Sequence, residues 1–422
     1  MNRLALEKRY VVLIIMSIFS IITYLDRTSI SITGNKITSE LGLSITQFGW
    51  VLAAFSFAYG IFEIPTGILG DKLGPKKILT RIVIWWSLFT ILTGFSYTFT
   101  VLLIVRFLFG VGEAGAYPNA TVVISKWFPK GERGRAQSFI WIASRIGGAL
   151  APFLSVFIMN TFGWRWVFYI FGTLGIIWVI FWNYWFKDEP REMKGIKSKE
   201  IELIESKREV KTLGHGLLSI KNILKNKNVW FLMGMYHCLL YGAYFYLSWM
   251  PKYLKNGRNV GEDDIAFMAS LPFILGTIGC FIGGFSSDFL SKKYGLKWGR
   301  RSVGMFGLIM AGICMITATF ILDNTISIIV LSLGLAFKDF TLPVSWATAA
   351  DIGGENSGSV AGAMGMAGQL GSTVMSISFG YILSMTGSWE LPLQIIGVIV
   401  IIGGLLWLKI DPSQKINNTS SS

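Results

Sequence analysis

Histidine, cysteine and charge are all scarce in this chain of 422 residues. Its two histidines, His215 and His237, cannot build a metal centre alone. The three cysteines (Cys238, Cys280 and Cys314) fall in apolar stretches without CxxC spacing, which suggests neither a disulfide framework nor a zinc site. Charged residues make up 15%, against about 25% for a soluble domain. No P-loop, HExxH or GxSxG arrangement with a supporting partner is present, so neither an enzyme nor an ATP-driven pump is expected. No cofactor or metal is called for. What the chain does have is apolar bulk: 52% hydrophobic residues, 31 Phe and 16 Trp, and a mean hydropathy of +0.55. That is too little polar surface to cover a soluble globule and too much apolar content for disorder. An integral membrane protein remains.

The apolar segments are continuous rather than alternating, which fits helices and not a β-barrel. Twelve spans are expected, roughly 10–34, 47–69, 78–97, 99–123, 136–160, 165–186, 228–253, 264–288, 302–322, 326–349, 358–384 and 389–409. Most approach the ~20 residues that a helix needs to cross the hydrocarbon. The first run continues into Asp26-Arg27 without a small-residue cleavage site, so no cleavable signal peptide is expected. The net charge of +14 follows the positive-inside bias. With the N-terminus inside, 29 of 38 Lys and Arg fall on the cytoplasmic side and five in periplasmic loops. Both termini are therefore expected in the cytoplasm, and no nucleic-acid partner is implied.

A charged segment divides the chain. The expected organisation is an N-terminal six-helix bundle (1–186), a cytoplasmic linker (187–227), a C-terminal six-helix bundle (228–410) and a disordered cytoplasmic tail (411–422). Within the linker, residues 199–211 read as an amphipathic surface helix with Ile201, Leu203 and Ile204 on its apolar side. An internal repeat supports the division. Gly67-Ile-Leu-Gly-Asp71-Lys72-Leu-Gly74-Pro-Lys76 follows the second span, and Gly284-Phe-Ser-Ser-Asp288 with Lys292-Lys293 follows the eighth, 217 residues later. Related halves of this kind are common among secondary transporters.

These motifs resemble the signature of the major facilitator superfamily, G-x-L-x-D-[RK]-x-G-x-[RK], at Gly67, Leu69, Asp71, Lys72, Gly74 and Lys76. Arg106 with Gly110 in the fourth span and Gly147-Gly148-Ala149-Leu150-Ala151-Pro152 in the fifth extend the resemblance over essentially the whole chain. Tyr24-Leu25-Asp26-Arg27, Arg106 with Glu113, and Ser345-Trp-Ala-Thr-Ala-Ala-Asp351 are similar to the anion:cation symporter branch of bacterial hexuronate, aldonate and glucarate transporters and the sialin group. The resemblance implies an all-α membrane fold of twelve helices in two pseudo-symmetric halves, acting as a monomer in a bacterial inner membrane. It also implies uptake of a small organic anion coupled to protons, by alternating access. Proton coupling is implied at Asp26 and Glu113, and substrate binding at Arg27, Tyr59 and Arg106. One departure is clear: where branch members carry an N-x-x-G-N-x-G pattern in the eleventh span, this chain has Gly365 and Gln369. The identity of the anion is left open by that difference.

The residues themselves support a charged site. Ionisable groups inside spans are costly and therefore functional candidates. Eight occur here: Asp26, Arg27, Glu63, Arg106, Glu113, Arg145, Lys338 and Asp339. Arg106 and Glu113 are seven apart, so they share one face of a helix. Arg27, Arg106 and Arg145 are candidate clamps for a substrate carboxylate, which a guanidinium holds in bidentate fashion. Asp26 and Glu113 are candidate proton carriers that compete for the same arginines once ionised. Tyr24, Tyr59 and Trp346 are candidate contacts for hydroxyls and rings, with Gln369 as a further donor. Asp71 and Lys72, with Arg133, Arg135 and the repeat partner Asp288, are candidate gating residues at the inner face. Glu63 reads as structural or gating, and Lys338-Asp339 reads as a neighbouring pair at a helix bend before Pro343, with its functional role left open. The alternatives are an exchanger of organic for inorganic phosphate, or a drug/proton antiporter. Three buried arginines argue against the latter.

Overall fold

The computed structural model describes residues 7–129, 132–205, 226–353 and 357–414. The side chains of a few further helical residues, Asp71 and Lys72 among them, lie outside the described set. So do residues 206–211 of the expected linker helix and residues 415–422 of the expected tail.

Every regular element among the described residues is helical. In chain order these are α1 (Lys8–Ile32), α2 (Gly34–Glu40), α3 (Ile45–Leu73), α4 (Pro75–Gly94), α5 (Phe99–Glu113), α6 (Ala116–Trp127), α7 (Arg133–Phe162) and α8 (Trp164–Trp185). They continue as α9 (Ser198–Glu205), α10 (Lys227–Tyr244), α11 (Glu262–Phe320), α12 (Asn324–Gly353), α13 (Ser357–Thr386) and α14 (Glu390–Leu406). Nine helical stretches among the described residues are long and apolar enough to cross a membrane. Large apolar side chains such as Phe157, Phe281 and Phe285 point outward, as lipid-facing positions require.

The eighth and ninth spans, together numbered α11, are two helices that meet at Gly295, whose backbone (φ 82°, ψ 160°) is not helical. The helices depart from the expected spans at two places. The fourth span is broken into α5 and α6. Past Tyr244, α10 gives way to two π-helical turns, Phe245–Trp249 and Tyr253–Gly257, on either side of Met250–Lys252.

By contacts the chain forms two compact units. The first comprises Met1–Ser29 and Ile61–Leu213, the second Ile30–Gly60 and Gly214–Ser422. In the first, Phe19 of α1 lies 5.2 Å from both Trp86 of α4 and Trp178 of α8, ring centroid to centroid. The Trp178 indole donates to the Ile15 carbonyl at 2.9 Å. The linker helix α9 is tied into this unit. Glu200, buried, accepts from the Arg9 backbone N–H at 2.9 Å, which places an anion at the positive end of α1. Ile204 is buried beside it, while Ile201 and Leu203 are half-exposed.

The second unit includes the C-terminal end of α1, all of α2 and the first half of α3. Small residues make that packing possible. A Cβ on Gly49 of α3 would come within 2.7 Å of the Ser376 carbonyl of α13. The hydroxyls of Ser56 and Thr373 join the same two helices at 3.1 Å. Lys252, 2% exposed, donates to Asn35 Oδ1 at 3.0 Å and Thr38 Oγ1 at 2.9 Å and lies over the Phe48 ring.

Candidate functional site

The break in the fourth span shapes the charged site of the first unit. The backbone leaves the helix at Ala114 (ψ 136°), directly after Glu113, and Gly115 adopts a left-handed conformation (φ 83°) before α6 begins. Glycine is suited to this position, because a side chain there would be strained and a Cβ would meet Thr66 at 2.7 Å. The Gly115 carbonyl accepts the Asn119 backbone N–H at 3.0 Å and, as a second hydrogen bond, the Asn119 side-chain amide of α6 at 2.8 Å. A continuous helix over 99–123 was the expectation. Glycine is common in membrane helices, so the sequence did not distinguish this one as a break.

Glu113, at the end of α5, meets Arg27 of α1. Arg27 Nε lies 2.5 Å from Glu113 Oε1, with side chains 10% and 1% exposed. Two more charges converge. Asp26, 1% exposed, has Glu113, Arg106 and the Thr90 hydroxyl as electrostatic neighbours. Arg106, 2% exposed, acts on both Asp26 and Glu113, and its guanidinium lies 4.5 Å from the Phe109 ring centroid. The seven-residue spacing of Arg106 and Glu113 therefore brings both to the same buried acid. Glu63 of α3 adds a third carboxyl within the field of Arg27.

Aromatic faces line the arginines. Tyr24 has Arg27 over its ring at 5.6 Å and Arg145 of α7 at 5.9 Å. Tyr117, on the first turn of α6, also has Arg27 over its ring at 5.6 Å. Its ring stacks on Trp141 of α7, with centroids 4.8 Å apart and planes 7° apart. The sequence reading missed Tyr117 and Trp141. The available signal was Tyr117 standing one helical turn beyond Glu113, which is weak among 16 Trp and 14 Tyr.

The other candidates belong to the second unit. Tyr59 is buried, 5.8 Å from Phe55 between ring centroids. Gln369 of α13 lies against Gly60 and receives a long 3.5 Å contact from the Tyr244 hydroxyl. Trp346 of α12 is edge-on to Tyr236 at 6.2 Å, and its buried indole N–H finds no hydrogen-bond acceptor among the described residues. Lys338 and Asp339, also of α12, form a buried pair at 2.5 Å. A Cβ on Gly276 of α11 would meet Asp339 Oδ2 at 2.5 Å, so the carboxylate fills the gap between these two helices.

Of the expected gating residues, Asp71 and Lys72 end α3 with side chains outside the described set. Arg133 donates to the carbonyls of Ser125 and Phe128 at 2.8 and 3.0 Å, capping α6. Arg135 is exposed. Asp288 pairs with Arg300 at 3.0 Å, and Arg300 also reaches Asp351 at 3.2 Å. Among the described residues there is no group of three or more His, Cys, Asp or Glu that could hold a metal ion.

Comparison with known proteins accords with this layout. The family model described as Major Facilitator Superfamily matches residues 16–376 and 289–422. A probable sulfoacetate transporter of Cupriavidus necator is 32% identical over 411 residues, covering 96% of this chain and 95% of the relative. A probable galactarate/D-glucarate transporter of Bacillus subtilis is 30% identical over 428 residues, covering 95% and 91%. Among solved structures, a bacterial homolog of the human lysosomal transporter Spinster aligns with a TM-score of 0.75 at 17% identity, covering 96% and 97%. At that identity the likeness concerns the fold.

Proposed function

The chain belongs to the Major Facilitator Superfamily, and on that premise we propose that it imports a small organic anion by proton symport and alternating access. The anion is a sugar acid of the hexuronate, aldonate or glucarate kind, or a short sulfonate such as the sulfoacetate named for one relative. The observation that carries this reading is the Arg27–Glu113 pair joining α1 to the end of α5. A guanidinium in this position can serve either the Glu113 carboxylate or an incoming acid group, because both offer the same pair of acceptor oxygens.

The cycle follows from that competition. A proton on Glu113 removes its claim on Arg27, and the freed guanidinium binds the substrate anion. Loss of the proton restores the internal pair and expels the substrate. Asp26 and Arg106 stand in the same field and form a second acid–arginine couple, so protonation of Asp26 releases Arg106 in the same way. Arg145 shares the Tyr24 ring with Arg27 and is assigned to the substrate as well. Tyr59, Trp346 and Gln369 are assigned to its uncharged part. Asp71, Lys72, Arg133, Arg135 and Asp288 are assigned to the inner gate, a role that the Asp288–Arg300–Asp351 network supports. The protein works as a monomer in the bacterial inner membrane, with both termini in the cytoplasm, as the Lys/Arg distribution favours.

The test is uptake into proteoliposomes with and without an inward proton gradient. The panel comprises glucuronate, galacturonate, gluconate, galactonate, glucarate and sulfoacetate. Accumulation of a panel member should require the gradient, and Glu113→Gln should abolish the requirement together with the accumulation. Gradient-independent exchange against inorganic phosphate would instead assign the phosphate exchanger.

A further inference from the structure

We propose that Tyr117 is a positioning residue for Arg27: its ring is a fixed seat that keeps the guanidinium edge aimed at Glu113 or at the substrate acid group that replaces it. This rests on the transport reading above for the second half of the statement only; the seat itself is a property of the unliganded protein.

A guanidinium donates in its own plane and is attracted to aromatic rings through its face. Arg27 has rings of Tyr24 and Tyr117 within 5.6 Å, while its Nε is given to Glu113. The two rings are not equivalent. Tyr24 stands three residues before Arg27 on α1 and moves with it. Tyr117 comes from α6, beyond the break at Gly115, and its ring is stacked against α7.

Two contacts hold the Tyr117 side chain, and the stack sets the plane of its ring. Trp141 of α7 stacks on it. Its hydroxyl is 3.2 Å from Ser20 Oγ of α1. Ser20 gives its own proton to the Ile140 carbonyl at 2.9 Å, so Tyr117 is the donor in the Tyr117–Ser20 bond. The ring is thus held from α1, α6 and α7 together. A guanidinium that must change partners during a cycle needs a reference that stays in place while the partner changes, and this ring provides one.

The expected consequence is specific to the ring face. Tyr117→Phe keeps the face and should leave Arg27 seated. Tyr117→Leu removes it and should weaken the hold of Arg27 on either acid about tenfold, the size of a desolvated cation–π contact. Infrared difference spectroscopy on purified protein reads this without any substrate. The Glu113 carboxyl band is identified by its loss in Glu113→Gln, and its titration midpoint should move by about one pH unit in Tyr117→Leu and stay in place in Tyr117→Phe. Charged and titratable groups facing this centre are Tyr24 and Asp26 on α1, Glu63 on α3 and Arg106 on α5, with Arg145 of α7 reaching Tyr24. All of them are unchanged in the two variants.

In proteoliposomes, Tyr117→Leu should raise KM about tenfold with Vmax little changed, and Tyr117→Phe should restore the wild-type KM. Should Tyr117→Leu not fold, Tyr117→Met is read in the same way. A Tyr117→Leu midpoint superimposed on wild type overturns the proposal, as does a Tyr117→Phe midpoint displaced equally. A midpoint shift without uptake of any panel anion by the folded wild type keeps the seat and rejects the transport reading.

Discussion

Among the described residues two ion pairs have both side chains no more than 10% exposed, one in each unit, and they are built on opposite plans. Arg27 and Glu113 are 86 residues apart and come from different helices. Lys338 and Asp339 are chain neighbours on one helix. Opening the first pair removes one link between α1 and α5 and leaves two groups that can each take a new partner. Opening the second frees no helix from another, because both members ride on α12. A buried pair costs desolvation in either case. Only the pair between helices returns that cost as a movable contact. The neighbour pair neutralises its own helix, and Asp339 seals the groove against Gly276 of α11.

The comparison breaks most sharply by mutation. Arg27→Met should reduce uptake by about 30- to 4,000-fold, since truncating one partner of a buried charge pair typically costs about 2–5 kcal/mol of binding. The double variant Arg27→Met/Glu113→Leu, though free of buried charge, should transport no better. Lys338→Met should also destabilise the protein by about 3–5 kcal/mol, because Asp339 is left buried without its cation. Here the double variant Lys338→Met/Asp339→Leu should recover most of the thermal stability and retain uptake. Recovery of uptake in the first double variant, or its loss in the second despite recovered stability, would reverse the roles given to the two pairs.

A smaller effect is expected at Lys252, whose hydrogen bonds go to the neutral acceptors of Asn35 and Thr38. It therefore holds α2 by hydrogen bonding rather than by an ion pair. Lys252→Met should lower stability by about 1–3 kcal/mol, the range for hydrogen bonds from a charged donor, with thermal unfolding in detergent as the measurement.

The smallest effect is at Asp411, beyond the last span. Burial alone would push its carboxyl up. The hydrogen bonds from Lys297 and Ser413, with the Lys297 charge, outweigh that and hold it below the ordinary aspartate range. A depressed folded value means that the contribution is present above the ordinary aspartate value of about 3.9. It is lost as pH falls through the lower folded value. Asp411→Asn should flatten that part of the stability–pH curve and change little at neutral pH.

Much of this is legible in the sequence alone. Apolar length marks the spans, and the seven-residue spacing of Arg106 and Glu113 places them on one face of a helix. Other features were hidden for definable reasons. Gly115 looks like any other glycine in an apolar span, and the Thr66 side chain that leaves no room for a Cβ there comes from a different helix. Adjacent residues on a helix point about 100° apart, yet Lys338 and Asp339 pair directly, as their reading as a neighbouring pair has it, because the flexible lysine stem closes that angle. Tyr117 gained its role from Trp141 and Ser20, neither of them near it in the chain.

The sequence alone determined that this is an all-helical, multi-pass membrane protein of a transporter family, because continuous apolar length and motif order are local properties that every fold of the chain must respect. Tertiary structure decided which acid Arg27 engages, which ring seats it and which unit residues 30–60 join. Those choices depend on distances of a few ångströms between helices, where Coulomb and stacking energies change steeply and where spacing along the chain carries no information.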